Sequence, residues 1–168
     1  PVRGALGIET LGRDYRKSVF TADVELPAPH NGIARQLFLP EGPFAILPLA
    51  GQRANLAWYL QRGAAESLAK EPKEQIEAEL NQRLSNFAGQ MTLTSDAGAY
   101  PLILQLAESI TGPRAVLVGD AARRINPLAG QGLNQGFRDV RALIEILVDA
   151  SRIGEDIGSD LVLSRYSA

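Results

Sequence analysis

Turn-forming segments divide the first third of the sequence into short β-type runs, and this pattern constrains the fold most strongly. The runs are residues 15–26, 33–39, 44–49 and 53–60, and each segment between them contains Pro, Gly or Asn. Strands joined by such short turns pair with their neighbours along the chain, because a parallel pairing needs a long crossover. The pattern therefore predicts an antiparallel meander with one face covered.

The sequence then changes to a helical period. A short helix is predicted over 63–70, and a longer one follows, with Pro72 in its first turn and Gly89 at its end. Apolar residues of the longer helix recur at spacings of four, four and three: Ile76, Leu80, Leu84 and Phe87. These positions share one side of a helix, so we expect that side to pack on the sheet. Residues 90–107 predict one or two further strands.

The last third combines a strand-like run, a loop of small residues and a helical stripe. Residues 115–118 are apolar and end at Gly119 and Asp120, which is typical of a buried parallel strand ending at a ligand crevice. A helix is predicted over 133–150 and another over 160–166. The whole pattern predicts an α+β fold, with an antiparallel-sheet domain that carries helices and a partial α/β (Rossmann-like) segment.

Asp120 and the glycines before the long helix form the pattern that indicates chemistry. Gly130 and Gly132 lack side chains, so a flat ligand can lie against the backbone there. The N-terminus of the helix that follows stabilises negative charge through its N–H groups and its dipole. Asp120 can accept hydrogen bonds from ligand hydroxyls. Reduced flavin, which is planar, carries a polyol chain and is negatively charged, fits all three features. A plain turn with the same residues is the alternative.

Composition argues against several other classes of protein. The sequence has no Cys, which removes disulfides, thiolate zinc sites and cysteine nucleophiles. A formal net charge of −2 without a clustered basic face argues against a nucleic-acid partner. The single histidine, His30, lies in a Pro/Asn/Gly segment, which favours a surface turn over a metal ligand or a general base. No metal site is predicted, and no apolar run approaches the roughly 18 residues of a membrane span.

The same segment carries a family resemblance. It reads Gly119-Asp120-Ala121-Ala122, then Asn126-Pro127-Leu128-Ala129-Gly130-Gln131-Gly132-Leu133-Asn134, then Arg138-Asp139-Val140. This resembles the second FAD-binding motif of the class A flavoprotein monooxygenases. The run Pro-Leu-Ala-Gly-Gln-Gly-Leu-Asn is similar to that of the ubiquinone-biosynthesis hydroxylases of the 2-polyprenylphenol type. The similarity covers nearly all of the chain.

The resemblance implies a domain plan and a reaction. Residues 1–12 would connect from the FAD domain, residues 13–106 would form the substrate-binding antiparallel sheet with its helices, and residues 107–168 would be the C-terminal part of the FAD domain. The cofactor would be FAD, with NAD(P)H as co-substrate and O2 as oxidant. The substrate would be a phenol, expected to be polyprenylated. The enzyme would be a homo-oligomer or part of a ubiquinone-biosynthesis complex, located in the cytoplasm with peripheral contact to the inner membrane.

The resemblance also implies roles for individual residues. Asp120 would hydrogen-bond the ribityl chain of FAD, and Pro127 would lie near the reactive C4a carbon of the flavin ring. Arg3 resembles the last residue of the family's Asp-Gly…Arg motif. The other cofactor-binding residues would be Gly119, Gly130, Gln131, Gly132, Leu133 and Asn134. Arg123 is a departure, because many relatives have His at this position, and no catalytic role is assigned to it.

Substrate-wall candidates come from the strand pattern. They are Phe38, Leu47 and Trp58. Trp58 and Tyr59 are adjacent on one strand and must face opposite ways, so one belongs to the core and the other is free to line a cavity. No acid–base pair is assigned, because in flavin hydroxylation the cofactor carries the difficult chemistry.

Two alternatives stay open, together with one expectation about the cofactor. The substrate could instead be a small soluble aromatic of the benzoate or phenol type, or the chain could be a folded module without catalysis. The Gly-X-Gly-X-X-Gly segment that binds the nucleotide half of FAD is absent from the sequence, as expected of a C-terminal fragment of such an enzyme. We therefore expect that these 168 residues alone do not hold FAD tightly.

Overall fold

The chain folds into two compact units. The computed structural model describes residues 2–126 and 130–167. The sheet unit is Arg16–Leu102, and the motif unit combines Pro1–Tyr15 with Ile103–Ala168. Two of the strands pass from one unit into the other, so each unit is described with its own part of them.

The sheet unit is built on antiparallel strands. They are β1 (Thr10–Glu25), β2 (Arg35–Leu39), β3 (Gly42–Pro48), β4 (Arg53–Gln61), β5 (Thr92–Leu93) and the first part of β6 (Gly98–Ala107). The pairing order is β2-β3-β4-β1, and β5 also pairs with β1. The predicted meander is confirmed for β2, β3 and β4, which pair in chain order. The first strand departs from it, because β1 pairs with β4 at the other side of the meander.

The pleat gives this sheet a covered face and an open face. Phe20, Phe44 and Trp58 share the covered face, because Trp58 pairs with Phe20 on β1 and with Phe44 on β3. All three are buried in one apolar core. Burying a side chain of this kind contributes about 1.5–3 kcal/mol relative to leaving it exposed.

Two helices supply the other half of that core. They are α2 (Arg62–Leu68) and α3 (Lys73–Ala88), with Pro72 at the N-cap of α3 and Gly89 after its last turn. Ile76, Leu80 and Leu84 of α3 are buried in the core, and Phe87 packs partly buried against it. The predicted apolar stripe of this helix is therefore confirmed.

The motif unit has shorter elements around one long helix. They are α1 (Val2–Ala5), β7 (Thr111–Gly112), β8 (Ala115–Val116), a 3-10 turn (Gly119–Ala121), β9 (Arg123–Arg124), α4 (Gln131–Arg152) and α5 (Asp160–Ser167). The last part of β6 pairs antiparallel with β9, and β7 pairs antiparallel with β8. Helix α5 agrees with the helix predicted over 160–166.

The predicted buried parallel strand over 115–118 is wrong. Only Ala115–Val116 is a strand, and it is half-buried and antiparallel to β7. The reason is the two-residue turn at Pro113 and Arg114, where Arg114 has a φ of 53°. Such a turn returns the chain beside the strand it has just left, so the pairing must be antiparallel.

The first strand begins earlier than predicted, at Thr10 rather than at residue 15. Residues 10–14 carry no apolar alternation, so the sequence gives no local strand signal there. The structure supplies a partner instead: the N–H of Glu108 donates to the carbonyl of Glu9, and Gly12 lies against the backbone of Leu104. Within residues 2–126 and 130–167, no helix has the length and hydropathy needed to cross a bilayer.

Candidate functional site

A tight turn in the motif unit presents Asp120. Gly119 opens the turn with a φ of 56°, in the left-handed region that a side chain disfavours by about 1–2 kcal/mol. The carboxylate of Asp120 is exposed, directly after Gly119. The sequence predicts a ligand-facing acid here, at the end of a parallel strand. In the structure Asp120 is exposed as predicted, but it lies in a 3-10 turn.

A buried carboxylate lies behind this turn. The backbone N–H of Gly119 donates to Asp139 Oδ2 over 2.9 Å, and Arg123 Nη1 donates to Asp139 Oδ1 over 2.9 Å. Asp139 is only 6% exposed. A charge buried to this degree needs a partner and hydrogen bonds, and Asp139 receives both. Sequence reasoning placed Asp139 in the motif but did not find this pair.

The helix face that packs against the turn consists of small residues. Gly132, Gly136 and Asp139 are spaced four and three apart, so they share one side of α4. A Cβ on Gly136 would lie 3.6 Å from the Cα of Gly119, which shows how closely the two backbones approach. The spacing of these three residues in the sequence could have predicted that this side of the helix packs closely against another segment.

The N-terminus of α4 lies beside Asp120. A Cβ on Gly132 would lie 3.8 Å from Asp120 Oδ1. Gly130 is the N-cap, with a φ of 61° and no described atom within 4 Å of the position of its absent Cβ. Gly130 has no side chain to accept a hydrogen bond from the first-turn amides, and the N–H groups and dipole of a helix N-terminus favour anions. The predicted residues Asp120, Gly130 and Gly132 are thus brought together.

Arg3 and Tyr166, from two other elements, donate hydrogen bonds to the turn and to the chain just before it. Arg3 Nη1 donates to the carbonyl oxygen of Ala121 over 2.9 Å, so the structure places Arg3 beside the turn, and its role in cofactor binding stays a prediction. The hydroxyl of Tyr166 donates to the carbonyl oxygen of Leu117 over 3.2 Å. Burial raises the pKa of Tyr166, the negative charge of Asp139 raises it further, and Arg123 opposes both effects.

The remaining predicted cofactor residues stand on the first turn of α4 or outside the described chain. Gln131, Leu133 and Asn134 are exposed on that turn. Leu133 is 70% exposed. Pro127 lies in 127–129, outside the described residues, so its predicted position near the flavin ring stays a prediction.

The substrate-wall candidates divide between the two faces of the sheet unit. Phe38 and Leu47 lie on the open face, where they are 74% and 43% exposed. Trp58 lies on the covered face and is 1% exposed, so the strand places it in the core rather than at a substrate surface. The parity of the strand explains this, because Trp58 continues the buried series of β4. Its neighbour Tyr59 faces the open side, and burial raises the pKa of Tyr59.

His30 has a structural role in the turn after β1. The N–H of Gly32 donates to His30 Nδ1 over 3.0 Å, so Nδ1 is unprotonated and Nε2 carries the proton. His30 Nε2 then donates to the carbonyl oxygen of Leu49 over 3.1 Å. Both ring nitrogens are therefore engaged by the backbone, in agreement with the predicted turn. The part of the chain that the structure describes contains no group of three or more potential metal ligands.

The geometry of the turn and helix fits a flavin. No described atom lies within 4 Å of the position of a Cβ on Gly130, and a Cβ on Gly132 would meet Asp120 Oδ1 at 3.8 Å. A polyol chain would meet the carboxylate, and a planar ring with negative charge would meet the amides of the α4 N-terminus.

Comparison with protein families decides the classification. The profile of the family described as "FAD binding domain" matches residues 1–167. The chain belongs to this FAD-binding family. The match includes both the turn at Asp120 and the sheet unit, and it confirms the predicted resemblance to flavin-dependent hydroxylases.

Curated members of this group of proteins are similar over nearly the whole chain. The ubiquinone hydroxylase UbiL of Rhodospirillum rubrum is 41% identical over 163 residues, which are 97% of this chain and 38% of UbiL. The 3-demethoxyubiquinol 3-hydroxylase of Escherichia coli is 39% identical over 165 residues, 98% of this chain and 42% of that protein. The mitochondrial ubiquinone biosynthesis monooxygenase COQ6 of Homo sapiens is 32% identical over 199 residues, 98% of this chain and 42% of COQ6. The chain therefore spans about two fifths of the length of these relatives.

Solved structures show the same fold. PqsL of Pseudomonas aeruginosa in complex with 2-aminobenzoylacetate superposes with a TM-score of 0.77 at 21% identity, over 99% of this chain and 46% of PqsL. The flavin-dependent halogenase CmlS superposes with a TM-score of 0.76 at 16% identity, over 99% of this chain and 31% of CmlS. The predicted α+β architecture, antiparallel sheet with helices, is confirmed by these neighbours.

Proposed function

We propose that the protein to which this chain belongs is an FAD-dependent monooxygenase that hydroxylates a polyprenylated phenol in ubiquinone biosynthesis. The observation that carries the proposal is the exposed Asp120 beside the N-terminus of α4, in a chain at least 32% identical to UbiL, to 3-demethoxyubiquinol 3-hydroxylase and to the ubiquinone biosynthesis monooxygenase COQ6. The co-substrates would be NAD(P)H and O2. When bound, FAD would supply the transfer of electrons from the nicotinamide and of one oxygen atom to the phenol.

In this proposal the motif unit binds and orients the cofactor. Asp120 accepts hydrogen bonds from the ribityl hydroxyls. The amides of the first turn of α4 face the pyrimidine edge and stabilise its negative charge. Arg3 supports the turn from behind through its hydrogen bond to Ala121. The chain contributes position and electrostatics, and none of these residues needs to exchange a proton with the substrate.

The open face of the sheet unit is the proposed substrate surface. Two alanines, Ala45 and Ala57, pair across β3 and β4, and in this proposal their short side chains form a low area of that face. Asn55 lies on one side, where its Nδ2 donates to Asp23 Oδ1 over 2.8 Å and to Thr21 Oγ1 over 3.0 Å. A phenol ring over the alanines would have the polar side chains of Asn55, Asp23 and Thr21 next to it.

The other side of the low area is apolar. Phe38 pairs with Pro43 on the open face, and its ring is exposed. An exposed aromatic ring gains free energy when an apolar chain covers it, at roughly 25 cal/mol per Å² of apolar surface removed from water. A polyprenyl tail would provide that cover, whereas a benzoate would present a charge to it.

Flavin titration tests the cofactor part of the proposal. The full-length protein is stripped of flavin and titrated with FAD, beside Asp120→Ala and the control Asp149→Ala, which changes a 74% exposed carboxylate on α4. We expect Asp120→Ala to weaken FAD binding at least about tenfold, or 1.4 kcal/mol, and Asp149→Ala to leave it unchanged. Equal affinities of wild type and Asp120→Ala would contradict the proposed site.

Oxygen consumption tests the substrate part. The full-length enzyme is supplied with NADH or NADPH and with a short-chain polyprenylated phenol in detergent, benzoate, or no aromatic compound. We expect the polyprenylated phenol to accelerate oxygen uptake and to appear as a hydroxylated product. Acceleration by benzoate alone would replace this substrate with a small soluble aromatic.

We also propose that the enzyme meets its substrate at the cytoplasmic surface of the inner membrane, because a polyprenyl tail partitions into lipid. Co-sedimentation with phospholipid vesicles that contain the polyprenylated phenol tests this, with vesicles lacking the phenol as the control. Equal recovery in the supernatant with both vesicles would contradict it. Self-association or membership of a biosynthetic complex stays a prediction, which the mass of the native enzyme would test.

A further inference from the structure

We propose that Asp139 and Arg123 are positioning residues that fix the Gly119 peptide and thereby hold Asp120 in place to bind the flavin. The inference rests on the proposed cofactor site and adds two residues to it that do not touch the cofactor. Asp139 engages the peptide directly, and Arg123 acts through Asp139, whose carboxylate it orients by its hydrogen bond.

Asp139 determines the direction of the peptide before Asp120. Its Oδ2 accepts the N–H of Gly119, and that residue has the left-handed φ of 56° from which the turn starts. A peptide held at its N–H has little freedom to rotate, so the next residue leaves the turn in one direction. That residue is Asp120, which points to the exposed side next to Gly132. The hydrogen bond therefore orients a carboxylate that Asp139 itself does not contact.

Arg123 makes the arrangement chemically stable. Asp139 is 6% exposed, and a charge buried to this degree needs an oppositely charged partner. The Arg123 guanidinium, 2.9 Å from Asp139 Oδ1, supplies the opposite charge. The side chain of Arg123 is 30% exposed and leads back to β9, which pairs with β6. The pair thus connects helix α4 and the β6–β9 pairing of the motif unit to the same turn.

A double-mutant cycle on FAD affinity tests the positioning role. Asp120→Ala, Asp139→Asn and the double variant are made in the full-length protein, and the dissociation constant of FAD is measured for each apoprotein. If Asp139 acts through Asp120, Asp139→Asn weakens FAD about tenfold in the wild-type background and less than about twofold when Asp120 is already Ala. The same factor in both backgrounds would overturn the inference, because it would mean a general structural effect.

Controls separate this inference from the cofactor proposal and from misfolding. Asp149→Asn makes the same chemical change at a 74% exposed site of α4 and should leave FAD affinity unchanged. If Asp139→Asn does not fold, as judged by thermal unfolding of the apoprotein, the cycle is run with Arg123→Ala, and Arg123→Lys is expected to restore most of the affinity. If Asp120→Ala weakens FAD and neither Asp139→Asn nor Arg123→Ala does, positioning fails and the cofactor site stands. If Asp120→Ala has no effect, the cofactor site itself fails.

Discussion

Gly42 occupies a position that no residue with a side chain can take without a shift of the backbone. Its φ is 147°, and a Cβ there would lie 2.0 Å from the carbonyl oxygen of Tyr59. We expect Gly42→Ala to lower the free energy of unfolding by about 2–4 kcal/mol, through the clash and the backbone strain together. Denaturant unfolding of the purified protein measures this.

The control for that variant is Gly63→Ala. Gly63 lies in α2, and no described atom comes within 4 Å of its absent Cβ. Alanine has the better helix propensity, so the free energy of unfolding should rise by up to about 1 kcal/mol. A loss of similar size in both variants would show that the tight approach at Gly42 does not determine the result.

Two serines should respond to alanine with opposite signs. Ser18 Oγ is fully buried and has no hydrogen-bond partner among the described residues. Ser159 Oγ accepts the N–H of Val162 over 3.3 Å, just before α5. We expect Ser18→Ala to raise the free energy of unfolding by about 1 kcal/mol and Ser159→Ala to lower it by about 1 kcal/mol. Thermal or denaturant unfolding checks both, and a destabilised Ser18→Ala would mean that the hydroxyl has a partner in solution.

For single residues, the sequence allowed the exposed residues of the candidate site to be predicted, but not the buried pair behind them. Asp120, Gly130 and Gly132 could be predicted because their chemistry is visible in the residue types themselves. The Arg123–Asp139 pair could not, because the two residues lie on different elements, and only packing of α4 on the turn brings their side chains to 2.9 Å. The burial of Trp58 could not be predicted for a similar reason. Alternation along a strand defines two faces, but the packing of the helices determines which face is covered.

Among the elements, those with a strong local period were predicted correctly. Strands β2 to β4 follow from alternation, and helix α3 follows from an apolar stripe; both patterns are properties of single segments. The run 115–118 was misassigned because a short apolar run has no period, and the turn at Pro113 and Arg114 decided its pairing. The early start of β1 was missed for a similar reason, since residues 10–14 become a strand only through their partner.

The loop between α4 and α5 depends on two ion pairs, which makes it sensitive to acid. Arg165 donates twice to Glu155 over 2.7 and 2.8 Å, and Arg114 donates twice to Asp156 over 2.7 and 3.1 Å. These hydrogen bonds lower the pKa of Glu155 and of Asp156. A carboxyl whose pKa is lower in the folded state stabilises that state above its ordinary pKa and loses the effect as pH falls through the lowered value.

We therefore expect the amides of α5 to lose protection from hydrogen exchange as the pH falls below about 4, the ordinary carboxyl range. Protection factors at neutral and acidic pH measure this in the wild type and in Glu155→Gln, in which the Glu155 pair is weakened at every pH. Because the Arg114–Asp156 pair is exposed and the Arg165–Glu155 pair is partly exposed, added salt should have the same direction of effect. Equal pH dependence in wild type and variant would show that Glu155 does not contribute.

For the molecule as a whole, α4 has two faces with different roles. The small-residue face packs on the turn, while an apolar stripe on the other side is 40–70% exposed: Leu133, Phe137, Val140, Ile144 and Val148. Proteins seldom expose a continuous apolar surface of this length without a function for it. The sequence predicts a stripe through Leu133, Phe137, Val140, Ile144 and Leu147, of which the first four are in this exposed set. Their exposure was not predicted, because periodicity identifies an apolar face without identifying what covers it.

Cofactor binding is the property that most depends on how much of the protein is present. These 168 residues carry the turn at Asp120 and the N-terminus of α4, which suit the flavin ring and its ribityl chain. The sequence contains no Gly-X-Gly-X-X-Gly segment, whose backbone amides bind the pyrophosphate at a helix N-terminus. Binding free energies of the two halves of FAD combine in one ligand, so the loss of one half weakens binding by many orders of ten.

We expect the 168-residue chain, purified alone and mixed with excess FAD, to retain less than about one tenth of an equivalent of flavin after gel filtration. Visible flavin absorbance per mole of protein measures this, with the full-length protein as the positive control. Far-UV circular dichroism establishes that the chain is folded in the same sample. A folded chain that keeps a full equivalent of FAD would show that the turn at Asp120 and the start of α4 hold the cofactor without the nucleotide site, and the proposed division of the cofactor between the two parts of the protein would then be wrong.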